Sequence, residues 1–289
     1  MKQILFSILI CTTCCNSQQK NVDTPALPFA TTPLATPVAP GIVNEVSGMA
    51  DSYAVPGCFW IEEDSGNPPE LSLLKHDGSL LKKITIKGAG NRDWEDLAIS
   101  SGPTPGVHYI YLADIGDNNS QYTSYNILRF PEPDATKDEV TDAEKISFTY
   151  PDGAHDAEAI LADDATKDIF IITKRDAKSK VYKLAYPQST TAINTATFVM
   201  DLPFTGTVSA ALSKSGTELI IKTYTTLFYW TRAAGESIEN TLPKPPTKLD
   251  YQLEPQGEAV CFKADNTGFY TLSEKSFAPS VSLNFYKRL

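Results

Sequence analysis

Three features of the sequence predict an all-β fold of the β-propeller class. A unit opening on a strand of small residues recurs five times, and further strand-like runs follow it in each copy. No long segment carries the 3.6-residue periodicity of a helix; short apolar or alternating runs are broken by Gly, Pro, Asn and Asp. The 13 Tyr, 13 Phe and 20 Pro among 289 residues favour strands and turns over helix bundles.

The copies open on Glu45 (EVSGMA), Asp93 (DWEDLA), Asp156 (DAEAIL), Thr207 (TVSAAL) and Gln256 (QGEAVC), at intervals of 48, 63, 51 and 49 residues. Second strands are read at residues 58–63, 109–114, 169–174, 218–223 and 269–274, and third strands at 70–74, 125–130, 180–184, 226–230 and 281–286. Fourth strands are read at 81–86, 145–150 and 197–202, with a candidate in the Pro-rich surroundings of 247–251 in copy four and none before Leu289 in copy five. Four strands per repeat of about 50 residues is the propeller pattern, and it weighs against a β-sandwich. A missing last strand implies ring closure by the N-terminal segment, with Leu34 to Val43 as the candidate, an edge position where Pro is tolerated. Five copies predict five blades. Extra strands hidden in the 63-residue interval would make six, but residues 131–142 within it read as a polar loop.

Composition bounds the function. Apolar residues at 42% are enough for a sizeable core. Lys plus Arg total 25 against 35 Asp plus Glu, and a net charge of −10 opposes nucleic acid as a partner. Three His make a multi-histidine metal site improbable. Of five Cys, Cys58 and Cys261 fall in apolar strand-like runs, where free buried thiols are expected rather than a disulfide. A monomer is expected.

The first residues read as an address. A basic start at Lys2 precedes the apolar stretch Ile4 to Ile10, too short to span a bilayer, and then Cys11-Thr-Thr-Cys-Cys15. This looks like a lipoprotein signal with Cys14 or Cys15 as the lipidated residue, although Thr12-Thr13 or Thr13-Cys14 stands where small residues are usual. An ordinary cleaved signal is the alternative. The expected organisation is a signal segment at 1–15, a Pro/Thr/Ala-rich tether at 16–40 and a single propeller domain at 41–289, exported and held by lipid at the outer membrane, facing the periplasm or the cell surface.

Candidate site residues follow from propeller geometry. The innermost strand of each blade lines the channel, and its third residue is Ser47, Glu95, Glu158, Ser209 or Glu258. Two residues earlier, with the same strand parity, lie Glu45, Asp93, Asp156, Thr207 and Gln256. The second strands end in Glu63, Asp114, Lys174, Lys222 and Glu274. Glu95, Glu158 and Glu258 are the candidate ligands for a hard cation such as Ca²⁺. Glu63, Asp114, Lys174, Arg175, Lys222 and Glu274 are candidates to hold a ligand, with the basic residues gripping an anion. The plain alternative is that channel charges pair with one another. The acidic turns at 62–67 and 113–119 lack EF-hand spacing and read as Asx-stabilised turns. His155 lies nearest the mouth; a structural role is the expectation, a general base the alternative. Trp60, Trp94 and Trp230 are expected to pack between blades. No nucleophile–base pair, Walker loop or G-x-S-x-G stretch is recognisable.

The segments NRDWEDLA (91–98), YLADIGDN (111–118) and FPEP (130–133) together resemble an exported bacterial β-propeller group, as do DSGN (64–67), DAEA (156–159) and GEA (257–259). The resemblance covers residues 44–289 and is distantly similar to the SdiA-regulated and phytase-like or esterase-like propellers, some of which bind calcium. The signal and tether resemble those of Bacteroidota lipoproteins. The Glu-rich ring of calcium-dependent phytases is only partly matched, since Ser47 and Ser209 interrupt it. Two readings result. One is a membrane-anchored binding or scaffold propeller whose channel mouth takes a cation, a small anionic ligand or a protein partner. The other, implied by the resemblance, is a calcium-assisted phosphoric-ester hydrolase.

The address has a direct test. Cells given a fatty-acid analogue should label the protein, and Cys14→Ala with Cys15→Ala should release it from membranes. An unlabelled wild type, with the double variant still membrane-bound, would refute lipidation.

Overall fold

In a computed structural model of the chain, residues 28–276 and 278–289 are described. Cys14, Cys15 and the first part of the expected tether lie outside them. The described chain forms five sheets, each built on four antiparallel strands and arranged as the blades of a five-bladed propeller, so the six-blade alternative falls away.

The first strand, β1 (Leu34–Pro37), belongs to the last blade. Blade 1 is β2 (Val46–Asp51), β3 (Cys58–Glu63), β4 (Glu70–Lys75) and β5 (Leu80–Ile86). Blade 2 runs β6 (Trp94–Ser101), β7 (His108–Asp114) and β8 (Tyr125–Pro131). The chain then lays β9 (Glu139–Val140) parallel to β5 before returning as β10 (Glu144–Thr149). The long second interval therefore holds no sixth blade. Its polar loop carries a two-residue strand that covers the outer edge of blade 1. Blade 3 repeats the device: after β11 (Ala157–Ala162), β12 (Ile169–Thr173) and β13 (Lys180–Leu184), β14 (Asn194–Thr195) pairs parallel with β10 before β15 (Thr197–Asp201) closes the blade. Blade 4 is β16 (Thr207–Leu212), β17 (Glu218–Thr223), β18 (Leu227–Thr231), a one-turn helix α1 (Ile238–Thr241) and β19 (Thr247–Leu249). Ser237 caps α1 by accepting from the Asn240 N–H at 3.3 Å. Blade 5 contributes β20 (Ala259–Phe262), β21 (Gly268–Leu272) and β22 (Ser282–Lys287). Among the described residues no helix is long and apolar enough to cross a membrane.

The core lies between blades. Trp60 and Trp94, both fully buried, share the layer between blades 1 and 2 with Leu71, Ile110 and Phe130, and Trp230 sits between blades 3 and 4. Cys58 and Cys261 are buried free thiols. On the face opposite the channel mouth, each junction is also latched by a carboxylate. Glu132, from the FPEP segment, accepts from Ser52 Oγ (2.7 Å), Tyr53 N (3.0 Å) and Trp60 Nε1 (3.1 Å), fixing blade 2 to blade 1. Asp164 accepts from Ser101 N at 2.9 Å across blades 2 and 3. Arg232 grips Asp163 with two bonds of 2.8 Å across blades 3 and 4. Arg288 grips Glu218 at 3.0 and 2.8 Å across blades 4 and 5. Asp51 accepts from Ala264 N at 2.7 Å and closes the circle from blade 5 to blade 1.

The ring closes as the missing strand implied. β1 pairs with β22 in the register Leu34↔Phe285 to Pro37↔Ser282. The contact begins earlier in sequence than the candidate strand. Phe29, within the stretch read as a tether, bridges to Arg288 and is 2% exposed. Its ring meets Tyr229 and Phe269 edge-on at centroid distances of 5.6 and 5.0 Å. Relative to a chain starting at Pro28, Phe29→Ala should lose roughly 3–5 kcal/mol of stability in denaturant titration. A chain starting at Pro40 should lose cooperative unfolding, because blade 5 then has no outer strand. Equal stability of all three would remove the closure account.

Candidate functional site

The channel is built by the first strands, and each of the first four carries a bulge near its start. Pairing slips between Val46 and Gly48, Trp94 and Asp96, Ala157 and Ala159, and Thr207 and Ser209. In blades 1 to 3 the residue left out of the ladder is Ser47, Glu95 or Glu158. A bulge breaks strict alternation, so successive side chains share one face. Glu95 and Asp96 therefore both reach the channel. Asp96 is fully buried and crosses it, accepting from Leu97 N (3.0 Å), Ile160 N (3.0 Å), Ala210 N (3.3 Å) and Ser209 Oγ (3.3 Å). Burial pushes its pKa well above the ordinary carboxylate range, and these bonds offset part of the rise.

Asp96 was not among the residues expected from sequence, yet a signal exists. At its position in the other four copies stand Gly48, Ala159, Ala210 and Ala259. Four small residues leave the space that one side chain fills. At Gly48 a Cβ would lie 2.7 Å from Asp96 Cα. Beside them Glu62 is also fully buried, with neither carboxyl oxygen hydrogen-bonded. Burial, reinforced by Asp96, raises its pKa well above the usual range.

At the mouth the acidic groups divide into two sets. Asp64, Asp93 and Glu95 each bring a carboxylate oxygen within 4.8 Å of the others. Gly116 of the DIGDN segment makes this approach feasible: a Cβ there would lie 2.1 Å from Glu95 Oε1 and 2.6 Å from Asp93 Oδ2. Burial and the Asp64 charge push Asp93 up to about 6. Glu95 is held well above the carboxylate range by burial and then by Glu158 and Asp64. The second set is paired. Lys174 Nζ lies 2.5 Å from Glu158 Oε2, 3.6 Å from Glu258 Oε1 and 3.0 Å from the Tyr224 hydroxyl, which itself donates to Glu258. Burial alone would lower the Lys174 pKa; the carboxylates of Glu158 and Glu258 outweigh it and hold the ammonium charged. Arg175 Nε lies 2.6 Å from Asp156 Oδ2. Glu274, beside Glu258, is pushed up to about 8 by burial and by that neighbour.

The expected residues are thus partly brought together. Glu95, Glu158 and Glu258 all line the mouth, but Lys174 spans the last two, and Glu95 groups instead with Asp64 and Asp93. Lys174, Arg175 and Glu274 are at the mouth; Glu63, Asp114 and Lys222 are engaged elsewhere. Glu63 accepts from Asn44 N at 2.6 Å, and Asp114 accepts from Asp93 N at 3.0 Å. Lys222 is fully buried beside Tyr251 and 4.0 Å from Glu254, and burial lowers its pKa to about 8. The cause is register. The residues whose N–H groups reach the carbonyls of Glu45, Asp93, Asp156 and Gln256 are Asp64, Ile115, Lys174 and Glu274. Glu63 and Asp114 lie one position short, which reverses the side a strand residue faces. In blade 4, Thr223 pairs with Thr207 and leaves Lys222 one position short as well.

His155 has both ring nitrogens occupied. Nδ1 lies 3.0 Å from Asp176, and Nε2 lies 3.1 Å from Asp152 and 2.9 Å from the Tyr182 hydroxyl, which matches a structural role. The acidic turns are held as expected: Asp117 accepts from Gln121 N (2.8 Å) and Tyr122 N (2.9 Å), and the Asn67 amide donates to the Asp64 carbonyl at 3.0 Å.

No protein-family model matches the chain, and no curated protein matches it. Among solved structures of similar fold is one described as "Structure of U3-55K", 10% identical, with the match covering 83% of this chain and 67% of that one at a TM-score of 0.41.

The raised pKa values set a pH dependence. Asp93 and Glu274 hold protons in the native state at pH values where the unfolded chain, titrating near 4, has released them. Their contribution is fully present below about pH 4 and is lost as pH rises through about 6 and then 8. Stability measured in chelator-treated buffer should therefore fall between about pH 5 and pH 9, and Glu274→Gln should flatten the upper part of that fall. A stability that rises over this window would contradict the assignment.

Proposed function

We propose that this chain is a binding propeller, tethered to a membrane through Cys14 or Cys15, whose channel mouth engages its ligand through a divalent cation held by Asp64, Asp93 and Glu95. One observation carries the reading. These three carboxylates converge from the β3–β4 turn and the start of blade 2, and none of them forms an ion pair among the described residues, whereas their neighbours Glu158, Glu258 and Asp156 are matched by Lys174 and Arg175. Carboxylates packed this closely repel one another unless protonated or bound to a cation. An all-oxygen set of this kind suits a hard ion such as Ca²⁺. The short apolar segment before Cys14 supports the tether.

Asp64, Asp93 and Glu95 would hold the cation, which would supply a positive centre for the ligand, and Arg175, half exposed at the rim, adds a positive group for an anionic part of it. Chelator-treated protein should melt at a higher temperature on adding CaCl₂. A hundredfold excess over Kd corresponds to roughly 2.7 kcal/mol of stabilisation. Asp93→Asn with Glu95→Gln should abolish the shift. No shift in the wild type would overturn the cation site. Turnover of a phosphomonoester that appears only with calcium would replace the binding reading with the hydrolase.

A further inference from the structure

A second cleft, of about 630 Å³, opens between blades 1 and 2, away from the paired carboxylates of the mouth. One wall is the connection Lys87–Arg92 from β5 into blade 2. The other is the face of blade 2, with Asn126, Leu128, Ala143 and Lys145. Its volume is that of a small-molecule pocket. Its charge runs against that of the molecule: in a chain of net charge −10, three cations, Lys87, Arg92 and Lys145, line it with a single carboxylate, Asp114.

These cations are weakly committed. Lys87 lies 3.2 Å from Glu139, but both side chains are about half exposed, so water screens the pair. Lys145 is exposed and forms no ion pair among the described residues. Arg92 is held rigidly, with its nearest carboxylate, Asp114, at the long distance of 4.0 Å. Its guanidinium stacks 4.1 Å from the Tyr122 ring centroid and donates to the carbonyls of Ser124 (3.0 Å) and Asp114 (3.2 Å). Its Nε is buried and has no hydrogen-bond partner. Asp114 is not that partner, because its Oδ1 stands 4.0 Å away and accepts from Asp93 N instead. A planar cation fixed in place, with one N–H of each terminal nitrogen uncommitted, is preorganised for an oxyanion. Leu128 and Ala143 supply an apolar floor for the carbon body of such a ligand, and a Cβ at Gly88 or Gly90 would meet nothing within 4 Å, so the entrance is open.

We infer that this cleft is a binding site for a small organic oxyanion, with the anionic group directed at Arg92 and flanked by Lys87 and Lys145. The site is independent of the cation at the channel mouth. Calorimetric titration of the full chain with glucuronate, inorganic sulfate and inorganic phosphate tests it and separates carboxylate from sulfate or phosphate as the recognised group. At least one probe should bind saturably. Lys87→Ala with Lys145→Ala, both exposed positions, should weaken that binding about tenfold or more. Lys214→Ala with Lys263→Ala, which removes the cations around Tyr53 on the opposite face, should leave it unchanged. So should Asp93→Asn with Glu95→Gln, which disables the mouth. No saturable binding of any probe up to about 10 mM, or equal weakening by both lysine pairs, would overturn the proposal.

Discussion

The carboxylate of Asp96 is the constraint on which the centre of the ring depends. Five inner strands meeting around one axis leave a space that their backbones cannot fill. This chain fills it with one polar side chain and four residues small enough to make room, Gly48, Ala159, Ala210 and Ala259. Because Asp96 accepts from blades 2, 3 and 4 together, it fixes the mutual height of those blades as well as their separation. A buried carboxyl with its bonds made is strongly position-specific, since a shift of any one blade strands the others' donors. Glu62 shows the contrast. It is as deeply buried, but its oxygens have no partner, and its raised pKa lets it sit there uncharged.

The same bulge that turns Asp96 inward sets the mouth. It places Glu95 next to the Asp93 carboxylate, and Gly116 lets the DIGDN loop close over both. The charges then separate by blade. Lys174 and Arg175 come from the loop after β12, so Glu158, Glu258 and Asp156 on the side of blades 3 and 5 each have a cation within ion-pair distance, while Asp64, Asp93 and Glu95 on the side of blades 1 and 2 have none. A ring with balanced charge all round would have no reason to take up an ion. The asymmetry gives the mouth its chemistry.

The fold was legible because repetition averages over local ambiguity: five copies of a four-strand unit, with one strand missing, define both the ring and its closure. Even β19, only three residues long and preceded by a Pro-rich stretch, falls within its expected segment. The site was legible only in part because it depends on single-residue register. Glu63 and Asp114 end their strands in sequence, but the ladder carries the channel-facing position one residue further, to Asp64 and Ile115. Asp96 was hidden by assuming strict alternation through a strand that bulges. Phe29 was hidden by composition. It lies in a Pro, Thr and Ala tract that reads as a linker, and only the aromatic pocket formed by Tyr229, Phe262 and Phe269, from distant parts of the chain, gives it a place.

The two ends of the channel differ in kind, which bears on how a ligand reaches it. Past Asp96 the inner strands carry Ala50, Ala98, Ala162 and Ala211, with Met49, Leu97, Phe262 and the Cys261 thiol around a cavity of only about 40 Å³. An ion arriving at the acidic mouth therefore meets the Asp96 plug first and a nearly filled, mostly apolar space beyond it, whose one carboxylate, Asp51, is already engaged by Ala264 N and His76. The inter-blade latches from Glu132, Arg232 and Arg288 lie on that far face and tie it shut. Ligand chemistry is confined to the mouth and to the cleft beside it. Both draw on the same short stretch of chain, residues 87–96, which leaves blade 1, lines the cleft with Arg92 and reaches the mouth at Asp93 and, three residues after Arg92, at Glu95.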